Sequence, residues 1–257
     1  MLTHNTIGRN GRLGNQMFQY ASLRGISFWN DLDYAIPAVG HHLFECFEME
    51  GVIAGTSASY DTVTFNEPHY HFDPNFMSGF PDGRDLFGYF QSEKYFEHIE
   101  SEIRKDFRFK KHIMDAAEPY TRILRDNKVF SIHFRRTDYL NTPDAHPVPA
   151  HSFYKKAIKI FNHYDYGLVF SDDIEWCKTL DYLQSDKFIF CSNHAYLDLY
   201  LMTQCHSNVI ANSSFSWWGA WLNSGSDKMV LTPSIWFGPA INADTKDLIP
   251  EDWIIIK

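Results

Sequence analysis

Basic residues are in short supply. The 257-residue chain sets 23 Lys and Arg against 32 Asp and Glu, a formal net charge of −9. A surface that grips nucleic acid needs clustered positive charge, so this balance argues against such a partner. It leaves room for a local basic pocket that takes a small phosphate ligand. Cysteine is scarce as well. Cys46, Cys177, Cys191 and Cys205 include no C-x-x-C pair, and their spacing suits neither a zinc site nor a small disulfide framework. They are expected as reduced core thiols of a cytosolic protein. No apolar run approaches the roughly 20 residues of a membrane span. The start, Met1-Leu2-Thr3-His4-Asn5, has no basic-then-apolar leader pattern. Repeats and low-complexity segments are absent too. Aromatic residues abound, at 17% of the chain within an ordinary 44% hydrophobic content. They fill cores but also line sugar and nucleobase sites, so their excess alone decides nothing.

The length suffices for one large domain or two small ones. The first half reads irregularly. A strand is expected near Thr3–Ile7, though it is less apolar than a buried parallel strand should be. A helix over about 16–29 follows, then a short strand at Tyr34–Ile36. A loop-rich region runs from Gly51 to Arg84, and a charged helical stretch reaches about residue 124. The second half alternates clearly. Strands are expected at Val129–Phe134, Leu168–Phe170, Phe188–Phe190, Asn208–Ala211 and Met229–Leu231. Helices lie between them, at Ser152–Phe161, from Ile174, through Leu197–Met202 and from Ser214. Such alternation predicts an α/β fold with a parallel sheet covered on both faces. Ligands then bind outside the carboxyl ends of the strands.

Those ends carry the chemistry. After the first of these strands comes "HFRRTDY", residues 133–139. His133 and Arg135 share one strand face, and the Arg135 guanidinium suits a diphosphate, with Asp138 placed to hold it. A plain Arg–Asp ion pair would leave the same pattern. After the next strand, "FSDD" offers Ser171 or Asp172 as a helix N-cap, or Asp172 as a ribose or base contact. After the fourth, "ANSSFSWWGAW" places Ser213, Ser214 and Ser216 at a helix start, a ready anion site. Trp217 and Trp221 share one helix face and read as core. The sequon at Asn212 is discounted. Asp198 is either a solvated helix residue or an acceptor for the N–H groups of guanine. Near the start, "GRLGNQMFQYA" sets an arginine and an asparagine between and beside two glycines at the mouth of a helix.

"GRLGNQMFQYA", "GYFQSEKYF", "IHFRRTDY", "FSDD" with Trp176, and "LDLYLMTQCHSNVIANSSFSWWGAWLN" stand in one order. Together they resemble the alpha-1,2-fucosyltransferases of glycosyltransferase family 11, from Gly11 to the end; residues 37–80 lie outside the resemblance. It implies a GT-B-like α/β fold: two facing Rossmann-like domains with parallel sheets. An acceptor-side domain would cover 1–125, and a donor-binding domain 126–257. It implies metal-independent, inverting transfer of L-fucose from GDP-fucose to the 2-hydroxyl of a terminal beta-galactoside on an oligosaccharide or glycolipid. The family's pyrophosphate arginine falls on Arg135, with His133 beside it and Asp138 orienting. Its guanine-binding aspartate falls on Asp198, and its phosphate turn on Ser214, Phe215 and Ser216, with Ser213 and Asp172 adjoining. The G-R-x-G-N loop that meets the donor from the other domain falls on Arg12, Leu13, Gly14 and Asn15.

The acceptor's base is not assigned by the sequence; His133, Asp138 and Asp144 are candidates, and Asn15 can position the hydroxyl. The chain is short for the family, and Thr137 replaces its usual glycine, which is expected to crowd the turn and shift the acceptor site. Three rival readings remain: a metal-dependent enzyme using Asp31 and Asp33, a binding protein with a decayed site, and a transferase using another GDP-sugar or linkage. With no anchor in view, a cytoplasmic enzyme of bacterial or viral type is expected, peripheral at most to the membrane where glycan is assembled.

Overall fold

The structure is a computed structural model that describes residues 1–55 and 63–257. The part of the loop-rich reading that falls on 56–62 lies outside the described residues. The chain divides into two compact units, Met1–Lys110 with Ala243–Pro250, and Lys111–Asn242 with Glu251–Lys257.

The first unit contains β1 (Leu2–Thr3), α1 (Leu13–Trp29), β2 (Tyr34–Ala35), α2 (Leu43–Cys46), β3 (Val63–Asn66), β4 (Arg84–Phe87) and α3 (Glu100–Asp106). Its sheet is parallel, in the order β2-β1-β4-β3. The first strand is shorter than the sequence suggests. Thr6 accepts backbone bonds from Arg9 and Asn10, so the chain turns straight after His4. Polar Thr3 and His4 are buried all the same, because Asp85 accepts from the Thr3 hydroxyl at 2.8 Å and Thr6 pairs with His4. Helix α1 is buried nearly all round, which explains its run of Leu, Met, Phe, Tyr and Ile. It begins at Leu13, three residues before the expected start. Arg12 carries no capping oxygen and Gly14 reads as loop, so the usual start signals are missing. The loop-rich region holds a strand after all, β3, with mostly exposed side chains at the sheet edge.

The second unit adds α4 (Lys111–Ala116), α5 (Glu118–Asp126), β5 (Val129–Phe134), α6 (His151–Ile160), β6 (Tyr166–Ser171), α7 (Ile174–Cys177), β7 (Phe188–Phe190), α8 (Ala195–Gln204), β8 (Ser207–Val209), α9 (Ser214–Leu222), β9 (Val230–Pro233) and β10 (Ile254–Ile256). All six strands are parallel, ordered β10-β9-β8-β5-β6-β7. The alternation of β5 sorts the core. Phe130, Ile132 and Phe134 join the layer with Phe153, Tyr154 and Phe161 of the α6 region. Val129 joins the opposite layer with Leu168, Phe170, Leu201 and Met202. Tyr120, Ile123 and Leu124 pack on that second layer, so α5 belongs to this unit and the division falls earlier than residue 125. Trp217, Trp218 and Trp221 are buried as one aromatic cluster. The four cysteines are free and buried, and burial pushes the Cys177 and Cys191 thiols up to about 12. Among the described residues, no helix is long and apolar enough to cross a membrane.

In the second sheet the strand order reverses beside the unit's first strand. The reversal lies between β5 and β8. Loops at such a point leave in opposite directions, and a crevice opens between them at the carboxyl ends.

Candidate active site

Arg135 stands one residue past β5, at the second unit's reversal point. Its Nη2 donates to the Asp138 carboxylate at 2.7 Å, and its Nη1 lies 3.2 Å from Asp172. Two carboxylates thereby fix the guanidinium, which stays partly exposed. The Tyr139 ring lies 5.4 Å from the guanidinium carbon, and the Tyr139 hydroxyl donates to the Asn212 carbonyl at 2.8 Å. This links the end of β5 to the end of β8, where Ser213 and Ser214 open α9.

Asp172 is not the helix cap. Asp173 takes that place, accepting from the Trp176 amide, while its other oxygen holds Arg136 at 2.6 Å. Asp172 instead accepts from the Arg136 amide (2.9 Å), the Thr137 amide (3.1 Å) and the Thr137 hydroxyl (2.5 Å). Its oxygens are thus engaged by the turn that carries Arg135, which leaves little capacity for a ribose or a base. Thr137 does not crowd this turn. Its φ is not positive, and its hydroxyl adds a bond. The group Arg135, Arg136, Asp138, Asp172 and Asp173 holds one more carboxylate than guanidinium, so attraction for an anion here rests on oriented donors rather than on excess charge.

His133 is 5% exposed, with its ring 5.8 Å from that of Phe215. Burial, reinforced by the Arg135 cation and opposed by Asp172, holds the imidazole far below its ordinary value. It is neutral at physiological pH and a weak base, which removes it as a strong proton acceptor. Asp138 is committed to Arg135, and Asp144 lies exposed.

Helix α9 starts without a side-chain cap from Ser213, and its N-terminal end carries the partial positive charge that favours an anion. Ser214 and Phe215 are partly exposed there. Ser216 is turned inward, its hydroxyl 3.4 Å from the Ser213 carbonyl, so it is not a free phosphate donor. Asn212 is buried and donates to the carbonyls of Pro147 and Trp236, which accounts for the sequon without a glycan.

Asp198 is 9% exposed, in the first turn of α8, not solvated as an isolated helix aspartate would be. Asn193 Nδ2 donates to its Oδ1 at 2.9 Å, and Tyr120 orients Asn193. Burial pushes the carboxyl up to about 7, with the Asn193 bond opposing. A carboxylate with one face tied and one edge open matches a base that offers two adjacent N–H donors. Sequence reasoning missed Asn193 and Tyr120, because their role depends on α5 meeting the segment between β7 and α8, 73 positions away.

In the first unit, Gly11 has φ +92°, and a Cβ there would lie 2.5 Å from Asn15 Nδ2; glycine alone fits. Arg12 is exposed at the N-cap of α1 without a side-chain cap bond. Leu13, Gly14 and Asn15 form the first helical turn rather than a loop, with Leu13 and Gly14 buried. Asp31 and Asp33 precede β2, at the opposite sheet end from the Arg12 segment, which follows β1. Among the described residues, no group of three or more His, Cys, Asp or Glu is placed to hold a metal ion.

A family model described as glycosyl transferase family 11 matches residues 2–257. An O-antigen biosynthesis glycosyltransferase of Escherichia coli, WbnK, is 32% identical over 198 residues, covering 72% of this chain and 65% of that protein; the chain thus spans just under two thirds of that relative. An alpha-1,2-colitosyltransferase of Escherichia coli is 28% identical over 285 residues, covering 96% of this chain and 97% of its own. Human galactoside alpha-(1,2)-fucosyltransferase 1 is 28% identical, with 86% and 66% covered. Among solved structures, the fucosyltransferase NodZ from Bradyrhizobium superposes with a TM-score of 0.57 at 11% identity, over 85% of this chain and 91% of that one. POFUT1 in complex with GDP-fucose gives 0.53 at 13% identity, over 99% and 96%. These likenesses show the fold, a GT-B-like α/β architecture with parallel sheets.

Proposed function

The chain belongs to glycosyltransferase family 11 and is a glycosyltransferase; from that premise we propose that it moves L-fucose from GDP-fucose to the 2-hydroxyl of a terminal beta-galactoside, with inversion and without a metal. The observation that carries this reading is the doubly braced Arg135 at the β5–β8 reversal point, joined through Tyr139 to the uncapped start of α9.

In the proposed complex the diphosphate lies between the Arg135 guanidinium and the first amides of α9. These donors meet the negative charge that grows on GDP as the glycosidic bond breaks. Asp138 and Asp172 hold the guanidinium in place, so little reorganisation is needed at that moment. Guanine meets Asp198, whose two oxygens accept from its N1–H and amino group. Within the first unit, Asn15 at the mouth of α1 is the residue we assign to orienting the acceptor hydroxyl. His133 contributes as a neutral wall beside Phe215 rather than as a base. With bond breaking well ahead of attack, the acceptor hydroxyl needs orientation more than deprotonation.

A second reading differs in the sugar alone. The colitosyltransferase relative matches nearly the whole chain, and colitose is fucose lacking one hydroxyl. GDP release from GDP-fucose, GDP-colitose and GDP-mannose, each with lactose in excess EDTA, separates the two readings. Arg135→Ala is the control. Fucose-selective, lactose-dependent release that is lost in the variant supports the proposal. Selectivity for GDP-colitose moves it to the second reading. Release abolished by EDTA and restored by manganese overturns the metal-free mechanism.

A further inference from the structure

In the first unit β1 and β4 are parallel neighbours, and the segments that follow them are bridged by side chains that the proposed reaction has not yet used. β4 leaves the sheet through Gly88, Tyr89, Phe90 and Gln91. The backbone there is strained: Phe90 has φ +51°, a conformation uncommon for a bulky residue. It is over-determined from three sides. Glu67 accepts from the Tyr89 amide at 2.7 Å and the Phe90 amide at 3.0 Å. Ser22 donates to the Phe90 carbonyl at 3.0 Å, and Gln19 donates to the Gly88 carbonyl at 3.1 Å. A Cβ at position 88 would lie 2.5 Å from a Glu67 carboxylate oxygen, so this clamp needs glycine there.

Strain held this firmly marks a segment whose geometry is used. The turn drives the Phe90 ring into the core, against Phe76 and Tyr95. Tyr89 and Gln91 on either side reach the segment after β1. The Tyr89 hydroxyl donates to Asn10 Oδ1 at 2.8 Å, and Gln91 Nε2 donates to Asn15 Oδ1 at 2.9 Å. Gln19 also holds the Asn10 carbonyl at 3.0 Å, tying the same two segments together. Gln91 is 6% exposed, and its Oε1 is buried without a partner among the described residues. A buried amide satisfied at one end is a poor choice for stability, since an apolar residue of the same size would avoid the desolvation cost. Its one bond goes to Asn15.

We propose that Gln91 is a positioning residue for the transfer step, acting through Asn15, with Tyr89 setting the neighbouring Asn10. This rests on the reading that Asn15 serves the reaction. The bond fixes the oxygen end of the Asn15 side-chain amide at the mouth of α1.

A double-mutant cycle tests it in the full chain, with transfer kinetics, GDP affinity by calorimetry and thermal midpoint measured for each protein. Gln91→Met keeps the volume and removes the bond. The expected result is a fall in kcat for transfer of roughly tenfold, with GDP affinity within twofold of the parent. In the Asn15→Ala background, Gln91→Met then has no further effect, because two residues acting as one unit are not additive. Tyr89→Phe, which deletes the hydroxyl at a partly exposed position, gives a smaller fall of the same kind and guards against a folding loss in Gln91→Met. Losses that multiply in the double variant overturn the proposal and leave Asn15's role standing. An Asn15→Ala protein with unchanged turnover overturns the reading of Asn15, and this proposal with it.

Discussion

Replacing Asp198 by asparagine should make the protein more stable and worse at holding GDP. The native carboxyl titrates near 7, against an ordinary 3.8. The folded state therefore binds its proton about a thousandfold more tightly than the unfolded chain, a difference on the order of 4 kcal/mol. Between pH 4 and 7 the native state holds more protons, so stability falls as pH rises through that window. Below it both states are protonated and the cost is absent; above it the cost is complete. Asparagine cannot ionise, and it still offers an Oδ1 to the Asn193 amide. Urea unfolding at pH 8, followed by the tryptophans of α9, should show Asp198→Asn more stable by about 2–4 kcal/mol. At pH 4 the gap should shrink below about 1 kcal/mol. GDP affinity should fall about a hundredfold, because two hydrogen bonds to a charged acceptor become mismatched. In the parent protein, GDP binding should tighten from pH 6 to pH 8. An equal stability gap at both pH values would refute the buried-carboxyl account, and unchanged GDP affinity would refute the guanine contact.

The other predictions concern the second unit's clamp. Arg135→Lys keeps the charge and loses the fork, and kcat/KM should drop by about a hundredfold or more. Asp172→Asn should weaken the turn at 135–137, lowering kcat/KM about tenfold and the thermal midpoint by a few degrees; an unchanged midpoint would show that the turn stands without it. The rate of transfer between pH 6 and 8 should carry no step from His133, since burial keeps it neutral throughout. His133→Gln should therefore leave the shape of the pH profile unaltered while lowering its height.

The second unit was far easier to read in the sequence than the first. Val129–Phe134 and Phe188–Phe190 have the bounds expected of them, because strands of a parallel sheet are short apolar runs between polar ends. In the first unit β1 has two residues, one of them a threonine satisfied by Asp85 from a distant segment. No local pattern announces such a strand. Helix α1 hides its start because the residues that open it, Arg12 to Asn15, are not those that cap a helix well. The motifs point to Arg135 and to the helix mouth at Ser214, which lie past the ends of β5 and β8. What they could not supply was the division of labour among neighbours. Asp173 rather than Asp172 caps α7, Ser216 points inward while Ser214 does not, and Gln91 belongs with Asn15 across 76 positions of sequence. Each of these depends on which segments the sheet order brings side by side.

The measurement that bears most directly on the central claim is the structure of the product. The protein, GDP-fucose and lactose in excess EDTA would be incubated, and the trisaccharide isolated and assigned by NMR. The proposed function predicts one new alpha-fucosyl residue whose anomeric proton correlates with C2 of galactose, formed from the beta-linked donor. A fucose on any other hydroxyl, or a retained beta configuration, would contradict it.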